Sequence, residues 1–431
     1  MVEVVWRRVL IGIVLGVIFG ITTPTLELYF NILTGLNINI IDIISPIGKI
    51  FLHLIKMVIV PLIFFSLISG LTSMKDPNSL GRVGMKSVIA YMCTTFFAVL
   101  FGLGFASILQ PGKINNIDQK NRLIEKLGAN QDIKTTAFNL AEFIIDIVPK
   151  NIFQAFSEGR LLQVVFFAIF CGYIINNMGE EVSYIRKFVD SAAKLVLKMI
   201  SKIILLSPLG AFALTYGVVA TQGFEAIMLL LTLSKAVIIA MLFQYMMFGI
   251  MIMVFCRMSP IPFFIKSFRY QILALSTGSS KASLATTMKV CNEGLGVSES
   301  SISFVLPLGA SINMDGFAIN LSLTTIFFTQ LLGVELGFGD YMVIILTSTL
   351  GSMGGAGIPG ASLIMLPMVL SSINIPIDTT AAVGLIAAID RVLDLVRAAI
   401  NITGDATITV IIDHSEGNLD KEKYYNYDNE Y

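Results

Sequence analysis

The chain has 431 residues, of which 55% are hydrophobic and 13% are charged, and its 29 basic and 29 acidic residues leave no formal net charge. So long and apolar a chain is excluded from the ordinary soluble domains and is predicted to be an all-α polytopic membrane protein. The balanced charge gives no reason to expect a nucleic-acid partner. The four cysteines lie far apart and mostly in apolar runs, so they predict neither a disulfide framework nor a metal cluster.

Six apolar segments of roughly helix length come first along the chain. They cover residues 9–21, 41–71, 88–109, 161–175, 188–219 and 226–255. None has the sustained alternation of an outer-membrane barrel strand, so each is predicted to be a helix. Arg7 and Arg8 precede the first segment as in a signal peptide, but the many later segments indicate a retained first helix.

The loops between these segments carry positive charge on one side. The basic residues on that side are Arg7, Arg8, Lys75, Arg82, Lys86, Arg186, Lys187, Arg257, Lys266 and Arg269. By the positive-inside rule this side is the cytoplasm of a cell inner membrane, and both termini are predicted to lie there. The polar stretch 113–134 would be an external loop, and the tyrosine-rich chain after Asp413 is predicted to be a disordered cytoplasmic tail.

After the sixth segment the apolar runs become interrupted. Residues 261–297 are rich in Ser and Thr, residues 341–373 contain a cluster of glycines with a proline, and the run 302–332 is broken by SINMDG. Irregular backbone at membrane depth persists only where protein or a watery cavity surrounds it. The first two runs are therefore predicted to be pairs of half-helices. Two such segments, each followed by a polar-bearing helix, indicate an inverted-repeat transporter with a site near the midplane.

A last apolar run, 379–412, carries a stripe of polar and ionisable residues. At about 100° per residue, five of them fall within an arc of roughly 80°, and Arg391 lies off it. The five are Asp390, Asp394, Arg397, Asn401 and Asp405. Because a charge at the bilayer centre costs on the order of 3 kcal/mol, the stripe predicts an internal polar site. The alternative is a purely structural ladder of salt bridges in a bundle core.

Four motifs along the chain resemble those of the dicarboxylate/amino acid:cation symporters, the glutamate-transporter family of bacterial type. In chain order they are STGSSKASL, LPLGASINMDG, GGAGIPGAS and DRVLDLVRAAINITGDAT. The resemblance covers nearly the whole chain. It implies eight transmembrane helices, two re-entrant helical hairpins and a homotrimer embedded in lipid. In each protomer a transport domain would move like an elevator along a static scaffold.

The resemblance also implies a division of the chain into domains. Residues 1–85 would form scaffold helices 1 and 2, 86–112 transport-domain helix 3, and 113–222 the external loop with scaffold helices 4 and 5. Residues 223–412 would form the rest of the transport domain, and 413–431 the tail. The expected activity is transport and not enzymatic catalysis, with no cofactor besides coupling ions, sodium or possible protons.

An acidic amino acid needs an acidic group for its ammonium and basic groups or donors for its carboxylates. Asp394 is predicted to bind the ammonium, Arg397 the side-chain carboxylate through its planar fork, and Asn401 the α-carboxylate. Backbone groups at the two hairpin tips should complete the pocket. These are predicted at Ser279, Ser280, Ala356, Gly357 and Gly360. Asp390 is expected to orient Arg397 or a tyrosine.

Sodium prefers oxygen ligands, and the resemblance implies three sodium sites. The first would use Gly309, Asn313, Asn401 and Asp405. The second would use Ser311, Ser352, Met353 and Gly355. The third would use Tyr91, Thr94, Thr95, Asn313 and Asp315. Proton-coupled relatives often have Asn in place of Asp405, so its presence favours sodium.

The chain departs from the family pattern near the pocket. Phe317 and Ala398 stand where Thr is frequent, Gly278 replaces an arginine common in prokaryotic relatives, and Lys281 adds a cation. These changes leave open a neutral amino acid, a C4-dicarboxylate or proton coupling. An ion channel and an intramembrane hydrolase are weaker alternatives, because a pore seldom needs such an Asp and Arg pair and no GxSxG or HExxH motif occurs.

Overall fold

The computed structural model describes residues 8, 11–23, 25, 27, 39–72, 81–114, 120–121, 124, 145, 147–222, 224–354, 360–373, 375 and 377–426. Within these ranges the chain is helical and contains no strand. The helices are α1 (Ile11–Thr23), α2 (Ile40–Thr72), α3 (Gly81–Leu109), α4 (Ile152–Ser157), α5 (Leu161–Met178), α6 (Ser183–Ile204), α7 (Ser207–Gln222), α8 (Phe224–Met251), α9 (Ile261–Thr277), α10 (Ser280–Lys289), α11 (Glu299–Ile312), α12 (Asp315–Leu332), α13 (Phe338–Gly354), α14 (Ala361–Ser372), α15 (Thr379–Ser415) and α16 (Lys421–Tyr425).

Most helices follow the predicted apolar segments, with one correction. The segment 188–219 was predicted as one helix, but it forms α6 and α7, which meet at Leu205 and Leu206. Pro208 lies in the first turn of α7, where its missing N–H needs no helical partner, so it favours a helix start there. Most of the predicted external loop 113–134 lies outside the described residues.

Three helical stretches in the described ranges are long and apolar enough to cross a membrane, judged by length and composition. They are Arg82–Leu109, Ile227–Cys256 and Glu299–Leu332. The last of these is broken between α11 and α12, where Asn313 and Met314 leave the helical conformation. The predicted total of eight spans and two re-entrant hairpins stays a prediction.

The helices pack in two sets. Helix α2 packs on α5, α6 and α7, while α3 and α8–α15 pack among themselves, with α12 lying along α3. The two sets meet where α7 contacts α15 and α8 and where α5 contacts α13. Helix α1 approaches α7 closely, since a Cβ added at Gly20 would lie 2.6 Å from the Cβ of Val219. The division into scaffold and transport domain remains a prediction, and these two sets are what it would be built from.

The prediction that the chain after Asp413 is disordered is wrong for residues 414–426. Helix α15 continues to Ser415, and the short helix α16 returns to the start of α9, with the ring of Tyr424 fully buried. The Tyr424 hydroxyl donates to the carbonyl of Ser259 over 2.8 Å. The error came from treating a polar, charged segment as unable to bury apolar surface, whereas its tyrosine does so.

A buried lysine joins this tail to the rest of the fold. The ammonium of Lys266 on α9 donates to the carbonyls of Gly294, Lys423 and Tyr424, each over 2.8 Å. These three bonds match the three donors of an ammonium group. The end of α15 is tied to α3 as well, because Glu416 pairs with Arg82 and Lys86. The hydrogen bond from Lys86, together with Arg82, lowers the pKa of Glu416 from its ordinary value.

We expect the tail contact to contribute to stability. Tyr424→Ala should lower the free energy of unfolding by about 3 kcal/mol, because it empties a fully buried aromatic site. Lys266→Met should destabilise the fold too, since three carbonyls lose their donor. Thermal unfolding of the purified protein in detergent measures both effects. Lys423→Ala is the control, because the side chain of Lys423 is exposed; a fall in melting temperature as large in this variant would contradict the assignment.

Candidate functional site

The polar stripe lies on α15, which α8, α9, α11 and α14 surround. All five side chains of the stripe are at most 5% exposed. A helix with this many buried polar groups is held in place by the contacts those groups make. The contacts fall into two clusters, one around Asp394 and Arg397 and one around Asp405.

In the first cluster Arg397 pairs with two carboxylates through a single nitrogen. Its Nη2 donates to Asp394 Oδ1 and to Asp390 Oδ1, the latter over 3.1 Å. Asp390 also accepts a hydrogen bond from the Ser362 hydroxyl on α14. The predicted contact between Asp390 and Arg397 is therefore present, and Ser362, which the sequence analysis did not single out, anchors it to the neighbouring helix.

The start of α14 closes over the same pair. The backbone N–H of Gly360 donates to Asp394 Oδ2 over 2.6 Å. Gly360 has φ +78°, a left-handed conformation that glycine adopts without steric cost. The other two residues predicted at this tip, Ala356 and Gly357, lie outside the described residues.

The second nitrogen of the Arg397 fork is buried without a hydrogen-bond partner in the described part of the chain. This nitrogen is Nη1, and it belongs to the guanidinium fork that is predicted to hold a substrate carboxylate. The ring of Phe317 lies against the guanidinium, with its centroid 5.5 Å from Cζ. A cation over an aromatic face is stabilised electrostatically, so Phe317 stabilises the arginine although it offers no hydroxyl.

The remaining predicted pocket residues lie around this pair. Asn401 accepts a hydrogen bond from the Gly316 N–H over 2.9 Å, which ties α15 to the start of α12. Ser280 donates to the carbonyl of Ala398 over 3.3 Å, so the start of α10 touches α15 one residue beyond Arg397. Ser279 caps α10 by accepting from the Ala282 N–H.

Arg391 was left off the predicted stripe, yet it reaches the same cluster. Its Nη1 lies 3.7 Å from Asp394 Oδ2, and the side chain is 12% exposed. A Cβ added at Gly278 would lie 3.2 Å from that nitrogen, so the glycine at the turn between α9 and α10 leaves room for the guanidinium. A helical wheel places Arg391 off the polar face and so does not show this contact. The wheel records only where the side chain starts, whereas a long arginine side chain can bend around its own helix.

The second cluster surrounds Asp405. Its Oδ1 accepts from the Asn313 side-chain amide over 3.0 Å, while its Oδ2 is buried with no hydrogen-bond partner among the described residues. A Cβ at Gly309 would lie 2.7 Å from Oδ1 and 2.5 Å from the Tyr91 hydroxyl oxygen. Glycine at this position therefore lets three predicted ligand-bearing residues converge.

Asp315 forms the neighbouring part of this cluster. Its Oδ1 accepts from Thr95 over 3.1 Å, and Thr94 donates to Asn313 Oδ1 over 3.2 Å. Its Oδ2 accepts from the amide of Gln244 on α8 over 3.2 Å. Gln244 was missed by the sequence analysis, although a lone amide in the apolar segment 226–255 was a usable signal.

The residues predicted for the second sodium site lie on α11 and α13, which pack together. Ser352 is fully buried and donates to the Thr349 carbonyl, and Ser311 donates to the Pro307 carbonyl. Met353 packs against the buried cluster that contains Tyr91 and Ile312. Gly355 lies outside the described residues, so this site is described only in part.

Buried charges that lack a full set of partners among the described residues, on a helix packed against broken helices, are typical of membrane carriers for small charged solutes. Residues 5–415 match the model of the sodium:dicarboxylate symporter family, and the chain belongs to that family. The predicted resemblance is thus confirmed. Because this is a family of transporters, the chain is a transport protein and not an enzyme, consistent with a multi-pass membrane location.

Several curated proteins are similar over most of their length. A proton/sodium-glutamate symport protein of Geobacillus stearothermophilus is 32% identical over 96% of this chain and 95% of its own. A C4-dicarboxylate transport protein of Bacillus subtilis is 31% identical over 96% and 94%. A proton/glutamate-aspartate symporter of Escherichia coli is 30% identical over 91% and 89%. Their names divide over both the solute and the coupling ion.

Proposed function

We propose that this protein is a secondary active symporter that imports aspartate or glutamate together with sodium. The single observation that supports the substrate is the buried Asp394–Arg397 pair, in which Arg397 Nη1 has no hydrogen-bond partner among the described residues. A purely structural ladder would be expected to pair both nitrogens of the fork. An unused, desolvated donor next to a carboxylate suits a molecule that carries an ammonium and a second carboxylate.

Substrate binding would exchange the internal ion pair for two external ones. The substrate ammonium takes Asp394, which frees Nη2 so that both arms of Arg397 can hold the side-chain carboxylate. Asn401 faces the α-carboxylate. The Gly360 N–H donates to Asp394 in this structure. It would keep that hydrogen bond to the Asp394 carboxylate while the start of α14 covers the bound substrate.

Sodium is supported by Asp405 Oδ2, which has no hydrogen-bond partner in the part of the chain that the structure describes. A buried carboxylate oxygen without a donor is costly unless a cation or proton meets it. One sodium would be held by Gly309, Asn313, Asn401 and Asp405, and another by Tyr91, Thr94, Thr95, Asn313 and Asp315. Bound sodium supplies the positive charge that fixes these oxygens in place.

The transport cycle would follow the family's expected architecture. Eight transmembrane helices and two re-entrant hairpins, α9–α10 and α13–α14, would form each protomer of a homotrimer in the inner membrane. The site on α15 would cross the bilayer as the transport domain slides along the scaffold. The set of helices packed around α15 is the body that would move.

Two alternatives keep the fold. One changes the transported substrate and the other changes the coupling ion. The similar proteins named for C4-dicarboxylates favour a substrate such as succinate, and those named for protons favour proton coupling. Asp394 argues for the amino acid, because a C4-dicarboxylate has no ammonium to pair with it.

Equilibrium binding in detergent tests the proposal. Isothermal titration with aspartate should give heat in sodium chloride and none in choline chloride, since the two ligands would bind together. Succinate and serine should give at least tenfold weaker binding. Aspartate binding of equal affinity in choline chloride would reject sodium coupling, and tighter binding of succinate would reject the amino acid.

Arg391 is expected to strengthen the binding of acidic substrates without contacting sodium. Arg391→Ala should raise the aspartate KM by roughly fivefold, equivalent to about 1 kcal/mol, because the pocket loses a cation that attracts the net negative charge of the substrate. Uptake kinetics at saturating sodium measure the change, and Arg391→Lys should restore part of it. Val392→Ala changes an exposed neighbour and is the control. An unchanged KM in Arg391→Ala would remove this residue from the site.

A further inference from the structure

Helix α6 differs from the apolar segments around it in carrying a row of basic side chains. The helix contains five basic residues and one acidic residue, Asp190. Four of the basic residues are exposed lysines that fall within an arc of roughly 80°. They are Lys187, Lys194, Lys198 and Lys202.

The next arc around the helix is apolar and also exposed. Its residues are Tyr184, Phe188, Leu195 and Met199, of which Phe188 is 63% exposed. A third arc is buried, facing the rest of the fold. Its residues are Val189, Ala193, Val196 and Ile203. The basic face, the exposed apolar face and the buried face therefore follow one another around the helix. This order is typical of a helix that lies at the membrane–water interface and packs on a neighbouring helix through its buried face.

The helix that packs on α6 is α2, and the contacts between them place the first turns of α6 beside the C-terminal end of α2. Asp190 accepts a hydrogen bond from Ser69 Oγ over 2.6 Å, and the ring of Phe188 meets that of Phe65. Both α2 residues are in the last two turns of that helix. Along the sequence, α2 is followed by Lys75 and then by Arg82 at the start of α3, on the side that the charge distribution assigns to the cytoplasm.

We propose that α6 lies on the cytoplasmic surface of the membrane and binds the head groups of anionic phospholipids through its lysine row. The apolar arc would enter the acyl boundary while the four ammonium groups reach the phosphates beside it. Asp190 carries one negative charge and accepts a hydrogen bond from α2, whereas the row carries four positive charges, so this face keeps a net positive charge. Glu180 and Glu181 lie before the helix, in the short turn that precedes it.

The test uses the purified full chain and measures retained lipid. Delipidated protein in detergent is titrated with phosphatidylglycerol or phosphatidylcholine, and native mass spectrometry counts the lipids bound. The wild-type protein should retain phosphatidylglycerol preferentially. Each lysine near an anionic surface strengthens attachment by roughly fivefold, so changing all four to Gln should reduce the preference by about tenfold or more. Added salt should weaken it in the wild type.

A matched control variant distinguishes the effect of the lysine row on α6 from the effect of losing four positive charges anywhere on the protein. Lys49, Lys113, Lys150 and Lys289 are exposed lysines on four different parts of the chain, and changing them to Gln removes the same charge. This control should keep the wild-type preference. An unchanged preference in the α6 variant, or an equal loss in the control, would overturn the proposal. Unchanged lipid binding with loss of the oligomer would assign the face to a second copy of the chain. The readout is independent of uptake, so its failure leaves the transport proposal standing.

Discussion

Replacing Arg397 with cysteine is expected to abolish measurable uptake of aspartate and glutamate while leaving some uptake of a neutral amino acid such as serine. The substitution removes the donor fork that would hold the side-chain carboxylate, an interaction between buried charges worth about 3 kcal/mol. The corresponding rise in KM for acidic substrates is on the order of a hundredfold. Serine has no second carboxylate and would still pair its ammonium with Asp394.

The loss of Arg397 leaves Asp390 and Asp394 without their cation, so folding must be checked beside transport. Arg397→Lys is the matched variant, because it keeps the charge and loses the planar fork. It should retain the fold and show an intermediate aspartate KM. Acidic-substrate kinetics that stay at the wild-type level in a well-folded Arg397→Cys protein would overturn the pocket assignment.

Replacing Asp405 with asparagine is expected to raise the sodium concentration for half-maximal uptake by at least tenfold. The amide oxygen of the introduced asparagine can still accept a hydrogen bond from Asn313. The NH2 group replaces Oδ2, which has no partner in the described structure, and its donor hydrogens repel a cation. Uptake of labelled aspartate at increasing external sodium measures the shift. The melting temperature should change less, since the packing around α15 is kept.

Asp413 provides the control on the same helix. Its Oδ2 accepts from the backbone N–H of Ser298 over 2.9 Å, so it caps the start of α11 rather than facing the Asp405 cluster. Asp413→Asn should lower stability by about 1 kcal/mol and leave the sodium dependence unchanged. A sodium response in Asp405→Asn identical to the wild type would remove Asp405 from the coupling site.

Sequence and structure agree where periodicity and helix breakers were strong. The stripe on α15 could be found from the sequence because a 3.6-residue period places Asp394, Arg397 and Asn401 on one face. The break between α9 and α10 was expected from the richness of residues 261–297 in Ser and Thr, and the break before Asp315 from SINMDG. Helix α3 begins at Gly81, earlier than the predicted residue 88, because its first turn is polar enough to fall outside an apolar window.

Sequence reasoning missed the contacts that depend on long side chains or on distant parts of the chain. Arg391 reaches Asp394 by bending its side chain around the helix, which a wheel projection does not represent. Gln244 meets Asp315 only because α8 packs on α12. The tail was expected to be disordered, but burial of Tyr424 and the Lys266 contacts stabilise it. Each of these depends on tertiary packing, which composition and period do not encode.

The most direct test of sodium-coupled import of an acidic amino acid is uptake into proteoliposomes with the two candidate driving gradients imposed one at a time. An inward sodium gradient at equal pH should concentrate labelled aspartate or glutamate inside the vesicles. An inward proton gradient without sodium should not do so, and succinate should accumulate poorly in either case. Accumulation driven by protons alone, or of succinate in preference to aspartate, would contradict the roles given to Asp405 and Asp394.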